Sequence, residues 1–219
     1  MFHFGTYCRR RQNLPHPVLQ PGRHHRRRLS GQLPPECRLG KAQRAQQDQF
    51  RRNKDTMQYR RSRQSGGSYF FTLVTHQRQP LLSIPENIGR LRIAFKREME
   101  KYPFTIDAIV VLPDHLHTIW TLPENDTDYS TRWSRIKRYF SSGCISANAA
   151  QSASRHNKRE KPVWQRRFWE HTIRDENDWQ RHMDYIHYNP VKHGHAKSAG
   201  EWPYSSFKRC VQRGWYEPD

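Results

Sequence analysis

The stretch VVLPDHLHTIW, Val110 to Trp120, carries two histidines one residue apart among apolar, β-favouring neighbours. Successive strand side chains point to opposite faces, so His115 and His117 project together while Leu116 turns away. Two imidazoles side by side can hold a metal ion; they can equally be surface or satisfied core histidines, and the pair alone does not decide. A second set follows in RHMDYIHYNPVKHG. On an α-helix, Tyr185 and Asn189 lie about 40 degrees apart in rotation, one turn from each other on one face. His187 is about 200 degrees round from Tyr185 and points away, whereas His182 lies roughly on the Tyr185 face and is a rival ligand or a DNA contact. The structural alternatives are a buried amphipathic Tyr185 and an Asn189 that caps the helix before Pro190, which biases Asn189 away from the α region. If this helix crosses the face of His115 and His117, a phenol and an amide oxygen meet two imidazoles. A phenol, with an unperturbed pKa of about 10, is protonated at neutral pH, and imidazoles with an amide oxygen are ligand types that a divalent cation accepts.

The elements that must position these groups begin at Ser68. SYFFTLV, after the turn-forming Gly66-Gly67, reads as a first strand. PENIGRLRIAFKREMEKYP reads as a helix with Ile88, Leu91, Phe95 and Met99 in one stripe, closed by Pro103. FTIDAIVVL, Phe104 to Leu112, and HLHTIWTL form a hairpin around the tight break at Pro113-Asp114. A second helix starts near Ser130 as N-cap, with Trp133, Ile136 and Phe140 on its core face and Arg132, Arg135, Lys137 and Arg138 distributed around it. Ser141 to Lys161 reads as a loop or frayed helix end, a hinge or DNA-facing excursion. VWQRRFWEHTIR reads as a fourth strand, and DENDWQRHMDYIHYNP as a helix capped by Asp175 and ended by Pro190. The order β-α-β-β-α-β predicts an α+β, ferredoxin-like fold, an antiparallel sheet with helices on one face, followed here by a further helix.

Composition points to a polyanionic partner. The net charge is +19, with 39 Lys+Arg against 20 Asp+Glu, and residues 1–56 alone hold 13 basic against 3 acidic side chains. Basic side chains that neutralise phosphates release condensed counterions, although basic tails also occur without a partner. Residues 1–56 show no sustained period and cannot offset their ordering entropy by apolar burial, so they read as a disordered basic extension. Either they form a basic arm on DNA, or translation begins at Met57 and they are not natively translated; 57–219 then form the folded domain. Cys8, Cys37, Cys144 and Cys210 have no short C-x-x-C spacing, which argues against a zinc knuckle or disulfide framework and fits a reducing compartment. No apolar run approaches membrane-spanning length and no signal-peptide core is present, so the expected location is cytoplasmic, with the nucleoid as the associated structure. Trp164 and Trp169 interleave with Arg166 and Arg167, a mixture that stacks bases and neutralises backbone, or else a strand with one aromatic core face. Arg60, Arg61 and Lys192 are further candidate DNA contacts.

LPDHLH, WQRRFWEHTIR and DYIHYNPVKHG, in that order and spacing, resemble the REP-associated tyrosine transposases, which belong to the single-tyrosine branch of the HUH (His-hydrophobic-His) nucleases. The resemblance covers about Met57 to the C-terminus. It implies His115 and His117 as paired metal ligands, Tyr185 as nucleophile and Asn189 as third ligand. Insertion-sequence relatives use Gln at that last place, so the shorter Asn departs from their pattern. Tyr139, with Gly143 one turn later, and Tyr188 read as packing or DNA-stacking residues. The implied cofactor is Mg2+ or Mn2+, with zinc also compatible with His ligands. The implied reaction is nicking of single-stranded or hairpin DNA, with palindromic REP elements as substrate, through a 5′-phosphotyrosine that a 3′-OH later reverses. The expected assembly is a monomer, with a dimer as the alternative. The rival functions are a non-catalytic REP-binding protein and a replication-initiator-type nickase.

Overall fold

The computed structural model describes residues 64–145 and 163–218. The basic segment 1–56, Arg60 and Arg61, and residues 146–161 of the Ser/Ala-rich stretch lie outside them. Eight elements follow in order: β1 Ser68–Val74, α1 Pro85–Lys101, β2 Thr105–Val111, β3 His115–Thr121, α2 Tyr129–Ser141, β4 Trp169–Thr172, α3 Glu176–Lys192 and α4 Phe207–Gln212. The strands form one sheet in the order β2-β3-β1-β4, antiparallel at every pairing. This is the expected ferredoxin-like arrangement, in which β3 fills the gap that the β1-α1-β2 crossover leaves.

Alternation along the strands splits the core in two. Tyr69, Phe71, Leu73, Leu116 and Trp120 face α1 and α2, where they meet Ile88, Leu91, Phe95, Trp133, Ile136 and Phe140. Trp120 and Trp133 stack at 4.0 Å between ring centroids, an arrangement that adds about 1 kcal/mol beyond area burial. Phe70, Ala108, Val110 and Ile119 face the other way, against Trp179, Met183 and Ile186 of α3 and Phe207 and Cys210 of α4. The two crossover helices therefore share one face, as expected, and the helices after β4 cover the opposite one. No helix among the described residues is long and apolar enough to cross a membrane.

Three boundaries differ from expectation. The N-cap of α2 is Asp128 rather than Ser130: its carboxylate accepts from the Thr131 N–H at 2.9 Å, so the helix begins at Tyr129. The fourth strand is shorter than VWQRRFWEHTIR. Thr72 pairs with Trp169 and Thr75 with Trp164, so Leu73 and Val74 on one side oppose four residues on the other; Gln165 N–H still bonds Val74 O, and the excess forces Arg166–Phe168 out of the ladder. Finally, α3 runs through Pro190 to Lys192. Its end is closed downstream, where Gly194 N–H bonds Val191 O and the φ of +71° at Gly194 turns the chain so that His195 N–H bonds Pro190 O at 2.8 Å. Asn189 consequently stays in helical register with Tyr185.

Candidate metal and tyrosine site

β3 places His115 and His117 on the sheet face that α3 covers, with ring centroids 4.9 Å apart. Register sets the neighbours of His117: Thr72 of β1 on one side, Val110 of β2 on the other. The Thr72 hydroxyl bonds His117 Nδ1 at 2.8 Å, while Nε2 is buried without a hydrogen-bond partner among the described residues. Burial first, then the charges of His115, His193, Lys192 and Arg78, hold the His117 pKa well below the usual imidazole value. His117 is therefore neutral at physiological pH, the form that binds a metal.

His115 is oriented by the residue before it. Asp114 Oδ1 bonds His115 Nδ1 at 2.5 Å, and Arg78 Nη1 donates to Asp114 Oδ2 at 2.9 Å. Burial alone would raise Asp114, but hydrogen bonds and charge from His115 and Arg78 outweigh it and bring the carboxyl down to about 2. Asp114 is thus an ionised acceptor that fixes the His115 ring, as carboxylates behind metal-binding histidines do. Arg78 reaches it from a turn in which Gln77 and Arg78 both adopt positive φ, +54° and +53°, at a cost of order 1 kcal/mol each. Asp114→Asn should weaken the response to divalent metal by about 10- to 100-fold. A Mn2+ binding titration measures this; an unchanged half-saturation point would show that Asp114 orients nothing.

α3 brings the phenol in. The Tyr185 ring lies 5.1 Å from that of His117 and 6.0 Å from Phe70, and Lys192 Nζ sits 5.2 Å above it. Positive charge is therefore already present where an anionic phosphodiester would approach. One turn later Asn189 is fully buried, and neither its amide oxygen nor its amide nitrogen has a hydrogen-bond partner among the described residues. A buried primary amide without partners costs about 1 to 3 kcal/mol. Imidazoles and an amide oxygen are ligand types that suit a divalent cation, and His117 Nε2 and Asn189 Oδ1, each without a hydrogen-bond partner among the described residues, have the chemistry to hold one.

The other expected residues separate into groups. Trp164 does not offer a face to a base, a correction to its reading as a stacking residue: it is buried with its ring 5.1 Å from Phe140, because the bridge to Thr75 turns it inward. Trp169 is half-buried and edge-on to Phe70 at 5.5 Å. Arg166, Arg167 and Lys192 are exposed. His182 is tied to Asp178 and His171, and Tyr139 lies between the guanidinium groups of Arg90 and Arg97. His187 points away, as expected, and bonds Ser206. Sequence reasoning missed Asp114 and Thr72. The adjacency of Asp114 to His115 was a usable signal, whereas Thr72 depends on β1–β3 register, which no local pattern reveals.

No family model matches the chain. A Haemophilus influenzae protein that carries the name REP-associated tyrosine transposase is 44% identical over 161 residues, covering 74% of this chain and 91% of the relative. The Escherichia coli REP-associated tyrosine transposase is 44% identical over 162 residues, 74% of this chain and 89% of the relative. A solved structure of a REP-associated tyrosine transposase bound to a REP hairpin aligns with a TM-score of 0.63 at 43% identity, covering 74% of this chain and 88% of that one.

Proposed function

This chain belongs to the REP-associated tyrosine transposases, and from that premise we propose that it nicks and rejoins single-stranded REP hairpin DNA through a covalent link to Tyr185. The observation that carries the reading is the meeting of the Tyr185 phenol with His117, whose Nε2 has no hydrogen-bond partner among the described residues, on a helix whose next turn buries the amide of Asn189, likewise unpartnered among them. Structural histidines and asparagines in a core are normally satisfied, so unsatisfied ones beside a nucleophile point to a ligand.

His115, His117 and Asn189 would hold Mg2+ or Mn2+, which when bound draws charge from a non-bridging oxygen of the scissile phosphate. Tyr185 Oη attacks phosphorus and releases its proton to solvent. The P–O3′ bond breaks, and the departing 3′ oxygen takes up a proton to become a free 3′-OH. One phosphodiester is exchanged for another, so the link to Tyr185 keeps the energy of the broken bond and a 3′-OH can reverse the step. Lys192, exposed at the end of α3, offsets phosphate charge beside the ring, and Arg166 and Arg167 extend positive charge along the sheet edge. Asp114 and Thr72 hold the two imidazoles in place.

The test incubates the full chain with a REP hairpin labelled at its 3′ end and Mn2+. We expect a labelled adduct that survives denaturation, that EDTA prevents, and that a 5′ label does not enter. Tight hairpin binding with no adduct under Mg2+, Mn2+ or Zn2+ would overturn the catalytic reading in favour of a binding protein. Equal cleavage of unrelated origin-type hairpins would point instead to a replication-initiator-type nickase.

A further inference from the structure

We propose that His171, Asp178 and His182 form a second cation site, of the zinc class, which ties β4 to the first turns of α3. His171 comes from the strand, and Asp178 and His182 lie four residues apart on one face of the helix. One ring nitrogen of each histidine and one carboxylate oxygen lie within 4.8 Å of one another. His171 Nε2 is 2.7 Å from Asp178 Oδ2, His182 Nδ1 is 3.3 Å from Asp178 Oδ1, and the two rings stack at 4.8 Å. Two imidazoles and a carboxylate are a recurrent zinc set; zinc would take His182 through its other ring nitrogen and would replace the proton that His171 Nε2 shares with Asp178 Oδ2.

The hydrogen bonds of His182 distinguish this cluster from an ordinary buried network. Its Nδ1 lies 2.7 Å from the Asp178 carbonyl oxygen. A carbonyl only accepts, so Nδ1 carries the proton and Nε2 holds the lone pair. Nε2 is buried with no hydrogen-bond partner among the described residues, in a residue that is 1% exposed. One nitrogen donating to a backbone carbonyl while the other keeps a free lone pair is the arrangement of a metal-binding histidine. The protonation states agree. Burial takes the His182 pKa down to about 4. Burial would raise Asp178, but hydrogen bonds and charge from His171, the Arg174 N–H and His182 lower it on balance. Arg174 Nε and Arg181 Nη2 approach the carboxylate only at 3.9 and 3.7 Å from largely exposed side chains, so they can withdraw when a cation binds.

This site is distinct from the His115–His117 pair. The Phe70 ring contacts both sets, at 4.6 Å from His182 and 5.5 Å from His117. Its consequence is mechanical: His182 lies one turn before Tyr185, so a cation bridging β4 and α3 fixes the helix that carries the phenol.

The test uses zinc itself. The full chain is stripped with chelator and equilibrated against low free Zn2+. Its zinc content is then compared with that of His115→Ala and His171→Ala. We expect His115→Ala to retain one zinc per chain that His171→Ala lacks, and Co2+ loaded into His115→Ala to give the visible absorption of a four-coordinate ion. Equal zinc in His171→Ala and the unmodified chain overturns the proposal. Should His171→Ala fail to fold, His115→Ala decides alone: zinc must raise its melting temperature, and the absence of any rise overturns the site.

Discussion

Tyr185→Phe should bind a REP hairpin as tightly as the unmodified chain and form no covalent adduct, a loss of about 10⁴-fold or more in strand cleavage, the scale seen when a covalent nucleophile is removed. Phenylalanine is the informative choice because the Tyr185 ring is packing as well as chemistry. It is 4% exposed and lies against His117 at 5.1 Å and Phe70 at 6.0 Å. Removing only the hydroxyl leaves those contacts in place, so fold and DNA affinity should persist while the attacking oxygen is gone. An adduct at the unmodified level would move the nucleophile elsewhere, and mass mapping of the linked peptide would say where. Tyr139 is a poor replacement, held between Arg90 and Arg97 at 4.6 and 4.8 Å on the other side of the sheet, so Tyr188 would be the residue to examine.

The parts of this site that a sequence exposes are the local ones. SYFFTLV is a strand over all seven residues because its β-branched and aromatic content acts within a few residues. His115 and His117 share a face because alternation is a property of any strand. Tyr185 and Asn189 share a face because the helix persists, and there the local rule failed in an instructive direction: Pro190 predicted an end, yet Gly194 closes the helix four residues later. What sequence hides is set by distant pairing. Thr72 reaches His117 only through the β1–β3 register. Trp164 is buried because Thr75 captures it and Phe140 packs on it, facts written in two other elements. The choice of Asp128 over Ser130 as cap is a closer miss, since both residue types cap helices and only the Thr131 N–H selects between them. The cluster of His171 with Asp178 and His182 combines both kinds: its helical spacing is legible, its strand partner is not.

Asn189→Leu should make the metal-free protein more stable and the enzyme much worse, two effects of opposite sign from one side chain. Leucine has the branched shape of asparagine with two larger methyl groups in place of the amide oxygen and nitrogen, so it leaves no cavity, and the crowding it adds offsets part of the gain. The amide it replaces is fully buried with both polar atoms unpartnered among the described residues, a burden of about 1 to 3 kcal/mol that an apolar side chain does not carry. In EDTA, the urea midpoint should therefore rise by the equivalent of about 1 to 2 kcal/mol. With Mn2+, adduct formation should fall by about 100-fold, because two imidazoles remain but the third ligand, the amide oxygen, is lost. Asn189→Asp should recover metal binding through its carboxylate oxygen, and Asn189→Gln tests whether the longer side chain of the insertion-sequence pattern still reaches. If Asn189→Leu instead lowers the urea midpoint while leaving the Mn2+ response unchanged, the amide serves the fold alone, and the metal rests on His115 and His117 with some other third partner.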